Sequence, residues 1–326
     1  MVKRIAFLLI LLAVRTSFGQ PALPTLQKGV ELSLQHQYDA ALALLQTVVD
    51  SFPTHPAGPL LMAAVYQSMM LDMESERWRE PFAQSIAQAQ ALAQAHTEER
   101  WFRFYHGAAL SYKSYQQVRE KKYFAALPTA LSSMRDFNRL LQEDSTFCEP
   151  MLGIGNYLYW RSKLARWLPF LPRQKDEGVR LIEQAYNCSR LSKWAALSSL
   201  CWISMEEKRY DQAQRYSEEG LRAFPQSRFF LWPWAEALFR SSRFVEAEKA
   251  FTRLKECRTG ILEDNGYNQV VIFWKLAQCA EHNGEAGNVV LYCRQALAVV
   301  VRPEVKDRAA KKLAYCRQLL SKYVAH

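Results

Sequence analysis

Glycine, proline and long apolar runs are scarce in this chain. Its 326 residues include 12 glycines and 13 prolines, while Leu, Ala and Gln are abundant and runs of β-branched residues are short. This composition favours helices over strands. The ten-residue apolar run Ile5–Val14 is too short for a membrane-spanning helix, which needs about 20 apolar residues. No other stretch is long and apolar enough to span a bilayer.

Metal-ligand patterns are also missing. None of the seven cysteines forms a CxxC pair, and no histidine lies at ligand spacing from a cysteine pair, so we expect no metal and no cofactor. An odd number of cysteines leaves at least one thiol unpaired. We expect most of them to be buried free thiols, which pack as small apolar residues. One or two disulfides in the C-terminal third remain an alternative.

Catalytic signatures are equally sparse, and we predict a protein that is not an enzyme and has no catalytic residue. Gly153-x-Gly155 lacks the preceding strand and the third glycine of a dinucleotide loop, so close helix packing explains it better. Of the six histidines, only His106 is expected to face the interior or a groove. A glycan-active site would need convergent carboxylates, and Glu98, Glu99 and Glu149 are better interpreted as acids at helix starts.

The N-terminus has the pattern of a secretory signal peptide. Lys3 and Arg4 precede the apolar run, and small residues follow near Gly19. This order predicts export, with cleavage after Gly19 and a periplasmic or secreted mature chain. Arg15 is unusual just before a cleavage site, so an uncleaved anchor remains the alternative. Removing residues 1–19 takes away three cations and lowers the net charge of +10 to +7.

A repeated spacing then organises the rest of the sequence. Tyr210, Ala213 and Pro225 are separated by 3 and 12 residues. The same spacing joins Tyr38, Ala41 and Pro53, and a partial copy returns 34 residues after Tyr210, at Phe244 and Ala247. A period of 34 residues is typical of stacked helix–turn–helix units.

These spacings resemble the tetratricopeptide repeat (TPR) family. The resemblance implies an all-α, right-handed superhelical solenoid of about seven antiparallel helix pairs, followed by a C-terminal capping helix, with residues 20–326 as one unit. The better-matching units lie near 25–53, 194–225, 228–257 and 270–300, and the capping helix near 304–324. Residues 56–190 match only as helical hairpins. Such solenoids bind partners on a concave face, so we expect a non-catalytic scaffold with a protein or peptide partner.

A narrower resemblance points to the compartment. The block Gly153–Trp160, then Leu168–Phe170 and Glu177-Gly178, with Ala63–Met70 earlier, is similar to uncharacterised exported bacterial TPR proteins. It implies a scaffold of the bacterial envelope. Nucleic acid is not expected as a partner of an exported protein, and the sequence leaves the oligomeric state open.

Two local features carry further predictions. Thr146 and Glu149 have the spacing of a capping box at a helix start. The repeat period slips by eight residues after Phe244, which predicts a longer surface loop within Arg258–Gln269.

Aromatic residues on the first helices of the pairs are the candidate binding residues, because first helices line the groove in this architecture and aromatic side chains make good anchors. The groove candidates are Trp101, Tyr105, Tyr112, Tyr157, Trp160 and Trp234. Each could instead belong to the core. Trp167 and Phe170, in a segment with two prolines, either fold over the groove or the neighbouring hairpin or make contact with a partner or a membrane. A peripheral membrane or glycan-binding role is the alternative function.

Overall fold

A computed structural model describes residues 22–164, 173–258 and 264–324. Within these ranges the chain forms fifteen α-helices and a short 3-10 turn at Pro303–Val305. The helices are α1 Leu23–Leu34, α2 Tyr38–Ser51, α3 Ala57–Met73, α4 Arg79–Gln94, α5 Arg100–Arg119, α6 Tyr123–Glu143, α7 Glu149–Leu164, α8 Lys175–Cys188, α9 Lys193–Glu206, α10 Tyr210–Ala223, α11 Arg228–Arg240, α12 Phe244–Arg258, α13 Tyr267–Asn283, α14 Ala286–Ala298 and α15 Lys306–Val324.

Consecutive helices pack as seven pairs, with α15 against α13 and α14. The predicted all-α solenoid of seven helix pairs and a final helix is therefore confirmed. Residues 1–21, which include the predicted signal peptide, and residues 165–172, which include Trp167 and Phe170, lie outside the described residues.

The turn between the two helices of a pair has one recurring backbone form. In each of the six such turns that the structure describes in full, a residue with positive φ follows the first helix: His36, Glu74, Lys121, Lys208, Ser242 and Gly284. The amide after it donates to a carbonyl five residues back, as Lys122 does to Gln117 at 2.8 Å. This closure satisfies carbonyls that the helix end leaves without partners. A residue in the left-handed backbone conformation therefore recurs at the same position of these repeats.

Small residues set how closely the helices approach. Phe137 of α6 fits between Gly107 of α5 and Gly153 of α7, so close that a Cβ at either glycine would overlap its ring. Gly155 of α7 and Gly178 of α8 meet backbone to backbone. The interpretation of Gly153-x-Gly155 as a close-packing element agrees with this geometry.

The curvature places the first helices on the inner side. The first helices from α1 to α11 each contact the next first helix in this series directly. The second helices α2 to α12 make no comparably close pair within the described part of the chain. Elements that crowd together lie inside a bend, so the first helices form the concave side.

The superhelix also closes on itself, because the first two pairs lie against pairs five to seven. Gln27 of α1 donates to the carbonyl of Arg190 at 3.2 Å. Asn265, before α13, donates to the carbonyl of Glu74 at 2.9 Å, and Arg308 of α15 binds the Glu74 carboxylate at 2.8 Å. Successive turns of the solenoid therefore touch.

Asp72 is the centre of this contact and is fully buried. The guanidinium of Arg228 binds its carboxylate with two nitrogens, with Nε at 2.8 Å from Oδ1. Arg258 donates to the Asp72 carbonyl at 3.0 Å and binds Asp264 at 3.1 Å. Tyr38 donates its hydroxyl to Asp72 at 2.9 Å. Two arginines and two aspartates thus balance their charges inside the protein, as buried charges require.

His36 links the same contact to the α11 N-terminus. Its Nε2 accepts the backbone N–H of Arg228 at 2.7 Å, which places the ring proton on Nδ1, 2.9 Å from the Tyr38 hydroxyl. Burial lowers the pKa of His36 and outweighs the attraction of Asp72. His36 and His55 are both buried, so the expectation that only His106 faces the interior is wrong.

Three further predictions need correction. The described part of the segment within Arg258–Gln269 is not a surface loop, since Arg258, Asn265 and Asn268 are buried against the Asp72 region. The capping box is not formed, because Thr146 donates to Asp144. The disulfide that forms, Cys148–Cys188, lies in the middle of the chain and not in the C-terminal third.

The other cysteines follow the prediction. Cys201, Cys279, Cys293 and Cys316 are buried free thiols, and Cys257 is a half-buried one. Burial raises the pKa of Cys201 and of Cys279 to about 12, so both are uncharged at neutral pH and act as packing residues.

Candidate partner-binding surface

The groove candidates at the start of α5 belong largely to the core. Tyr105 is fully buried and has no surface to offer a partner in this structure, which corrects its assignment to the groove. Trp101 is half-buried, and its ring packs at 4.9 Å from that of Phe147 and 5.8 Å from that of Phe104. These rings join α5 to the start of α7.

Three other candidates are half-buried and engaged within the chain. Burial raises the pKa of Tyr112 to about 12. The Arg161 guanidinium lies 5.4 Å from the Tyr157 ring. The indole N–H of Trp234 donates to Glu218 at 3.4 Å. These side chains can contribute to the edge of a binding surface but do not project from it.

Trp160 is the groove candidate whose side chain is exposed at the surface. Neighbouring first helices carry exposed apolar side chains as well. Exposed large apolar side chains occur at Leu71 on α3 (37%), Tyr115 on α5 (46%), Trp160 on α7 (39%) and Trp202 on α9 (44%). We call these four residues the first-helix row. Each of four successive first helices contributes one residue to the row, and α5 carries a second exposed apolar residue, Val118.

Hydrogen bonds fix the register of the row. Asn156 donates to Ser199 at 3.3 Å, and Lys163 binds Glu206 at 2.7 Å. These two contacts between α7 and α9 lie on either side of Trp160 and Trp202, so both indoles occupy the same stretch of the concave side. On the other flank, Gln116 donates to Glu76 at 3.1 Å, which ties the end of α5 beside Tyr115 to the turn after α3.

Sequence reasoning missed Leu71, Tyr115 and Trp202, although a signal was present. Each of the three lies eight residues before the first residue of its second helix, Arg79, Tyr123 or Tyr210. The corresponding residues of pairs six and seven are Glu236 and Gln278. Aligning the repeats on their second helices would have placed Leu71, Tyr115 and Trp202 at one position of the repeat, a position that is polar in pairs six and seven.

A separate pocket of about 210 Å³ lies among α7, α8, α9 and α10. Glu207 at its wall accepts hydrogen bonds from Tyr159 at 2.8 Å and from Lys175 at 2.6 Å. The hydrogen bond from Lys175 holds the pKa of Glu207 below its usual value despite some burial. A carboxylate kept ionised in this way is unsuited to act as the protonated acid of glycoside cleavage.

Glu149, the buried carboxylate among the glycan-site candidates, has a structural role. Its two oxygens accept the backbone N–H groups of Arg190, Leu191 and Ser192 and the Ser192 hydroxyl, at 2.6–3.1 Å. Glu149 therefore caps the start of α9 instead of its own helix. These bonds use its acceptor positions and leave it no role toward a substrate.

Among the described residues there is neither a metal-binding cluster nor a membrane-spanning helix. No group of three or more His, Cys, Asp or Glu side chains within 22–164, 173–258 and 264–324 is arranged to hold a metal ion. None of the helices in these ranges combines the length and apolar character needed to cross a membrane.

Comparisons with known proteins find likeness in fold. No protein-family model and no curated protein matches the chain. Among solved structures, it is similar to the C-terminal part of a TPR repeat-containing protein from Cytophaga hutchinsonii, with a sequence identity of 12% and a TM-score of 0.47. The match covers 88% of this chain and 99% of that chain. It is also similar to a TPR protein from Parabacteroides merdae, with 14% identity, coverage of 90% and 98%, and a TM-score of 0.37. Yeast Tom70 matches at 12% identity, with coverage of 90% and 81% and a TM-score of 0.34.

Proposed function

We propose that this chain is a non-catalytic scaffold that binds an extended segment of a partner protein along its first-helix row. The observation that carries the proposal is the row itself, in which Leu71, Tyr115, Trp160 and Trp202 expose one apolar side chain on each of four adjacent helices. Large aromatic side chains are the commonest anchors of protein interfaces.

The dimensions of the row fit a peptide. Packed helices lie about 10 Å apart, so four neighbours span roughly 30 Å. An extended chain advances about 3.3 Å per residue, which makes the row as long as a nine-residue segment. Ion pairs at its margin, Lys163–Glu206 and Arg119–Glu76, supply the polar rim typical of such interfaces.

The test is selection of nonapeptides from a displayed library on residues 20–326, followed by measurement of Kd. We expect Trp160→Ala combined with Trp202→Ala to raise the Kd of a selected peptide roughly 700-fold, since truncating each anchor costs about 2 kcal/mol and about 1.4 kcal/mol is a tenfold change. Phe124→Ser with Leu127→Ser, on the outer side of α6, is the matched control and should leave Kd unchanged. Peptides that bind the double tryptophan variant as well as the parent chain would refute the proposal.

We further propose that the protein works outside the cytoplasm, in the bacterial envelope. The N-terminal pattern of residues 1–19 supports this, and so does the bond between Cys148 and Cys188, since disulfides persist in oxidising compartments. The bond joins the segment before α7 to the end of α8.

Export can be tested through this bond. In protein isolated from cells under alkylating conditions, we expect Cys148 and Cys188 to be joined when residues 1–19 are present in the gene. Removing those residues should keep the chain in the cytoplasm, with both thiols alkylated. Mass spectrometry of the peptides distinguishes the two states. A chain without residues 1–19 that still appears outside the cytoplasm would contradict the proposal.

A further inference from the structure

The second exposed apolar surface of the protein lies on the outer side, at the start of α6. Four large apolar side chains of α6 lie there, and we call them the α6 tip: Tyr123 (60% exposed), Phe124 (99%), Leu127 (58%) and Leu131 (46%). Phe124, Leu127 and Leu131 are three and four residues apart, so they form one stripe along the helix.

The tip projects from the solenoid. Residues 121–125 are all exposed, as are 127 and 128, and only Ala126 of this stretch is buried. Ser114 of α5 binds the Ala126 carbonyl at 3.0 Å and holds the inner side of this turn against α5. The opposite side of the turn, with Phe124 almost completely exposed, has no contact to the rest of the described protein that would cover it.

Cations predominate around the tip. Lys121, Lys122 and Arg135 are the charged residues between 121 and 135, and this stretch contains no acid. The adjoining Glu120 is largely covered and is paired with Lys122 at 2.6 Å and with Arg79 at 3.6 Å. The tip therefore combines an apolar stripe with cations at both of its ends.

This charge arrangement disfavours a second copy of the chain as the occupant. If two α6 helices paired antiparallel, Lys121 and Lys122 of each would approach Arg135 of the other. If they paired parallel, the lysines would face each other. Both arrangements bring like charges together, which opposes association.

We infer that the α6 tip is a site for a lipid surface carrying anionic headgroups. Apolar and aromatic side chains on one face of a helix, with lysine and arginine beside them, are the combination by which helices lie in the interface of a bilayer. Phe124, Leu127 and Leu131 would enter the boundary between headgroups and acyl chains, while the lysines meet the headgroup charges. The site differs from the predicted Trp167 and Phe170 contact, and it lies on the opposite side of the repeat from the first-helix row.

The experiment is flotation of residues 20–326 with vesicles of phosphatidylcholine, either alone or mixed with phosphatidylglycerol. We expect binding to the mixed vesicles, weakened by salt because headgroup charges are screened. Phe124→Ser with Leu127→Ser should lower the partition coefficient at least about tenfold, since two buried apolar side chains are lost. Lys121→Glu should weaken binding only to the vesicles that contain phosphatidylglycerol and should leave binding to pure phosphatidylcholine vesicles unchanged.

Matched controls separate the tip from general surface hydrophobicity. Val245 of α12 and Leu291 of α14 are also exposed apolar residues on second helices, and Val245→Ser with Leu291→Ser should bind like the parent chain. All exchanged residues are exposed, and circular dichroism verifies that each variant is folded.

Three results would overturn the inference. The first is a tip variant that floats like the parent, and the second is absence of flotation with either vesicle. The third is that the chain does not bind vesicles and instead forms a dimer, or a complex with an acidic peptide. In that case Phe124→Ser with Leu127→Ser would dissociate the dimer or the complex.

Discussion

Replacing Asp72 by Asn should lower the free energy of unfolding by about 3–5 kcal/mol, the usual cost of removing one partner from a buried ion pair. Asp72→Asn keeps the size of the side chain but leaves Arg228 and Arg258, both buried, with one aspartate, Asp264, between them. Because these residues join the first two pairs to pairs six and seven, the contact between turns of the solenoid should loosen. Urea unfolding followed by circular dichroism measures the loss.

The control for this exchange is an ion pair on the surface. Arg243 and Glu246 are both about half exposed, and exposed pairs contribute at most about 1 kcal/mol. Glu246→Gln should therefore change stability by less than that amount. If Asp72→Asn were equally mild, the buried arginines would not depend on Asp72 and the described contact would be wrong.

The same variant should change the pH dependence of stability. Burial alone would raise the pKa of Asp72, but the hydrogen bonds from Arg228 and His36 hold it well below its usual value of 3.8. A carboxyl with a lowered pKa in the folded state stabilises the fold fully above its unfolded pKa, and this contribution is lost as pH falls below it. The stability curves of the parent and of Asp72→Asn should thus converge in acid and separate toward neutral pH.

Adding one methyl group at Gly178 should cost about 3 kcal/mol or more. A Cβ there would lie 2.6 Å from the Gly155 carbonyl oxygen and 2.8 Å from the Tyr159 nitrogen. Both atoms belong to the backbone of α7, so no side chain can rotate away and the two helices must separate. Overpacking of this kind usually costs 1–3 kcal/mol, and a clash with rigid backbone belongs at or above the upper end.

Gly287 of α14 provides the matched control, because a Cβ there meets no atom within 4 Å. Gly287→Ala should stabilise the protein by about 0.5–1 kcal/mol, since alanine loses less conformational freedom in a helix. Thermal unfolding of both variants gives the comparison. A Gly178→Ala protein that unfolds at the same temperature as the parent would show that α7 and α8 are not in close contact.

The candidate site could be predicted only in part. The first helices do carry exposed apolar side chains, and Trp160 projects from one of them. Tyr105 was indistinguishable from it in sequence, because an aromatic residue on a first helix can turn toward the core or the groove. Its ring packs against those of Trp101, Phe104 and His55, and His55 comes from a different segment, the turn before α3.

The sequence by itself determined the repeating unit. Local propensity, the spacing of Tyr38, Ala41 and Pro53, and small residues such as Gly29 act over one turn of helix or one hairpin, and this is the range over which a repeat pattern is legible. The tertiary structure alone decided how far the superhelix winds. Asp72 meets Arg258 186 residues later, and Glu149 caps α9 about 40 residues later. Such contacts depend on small rotations between pairs that accumulate along the solenoid, and no single repeat encodes their sum.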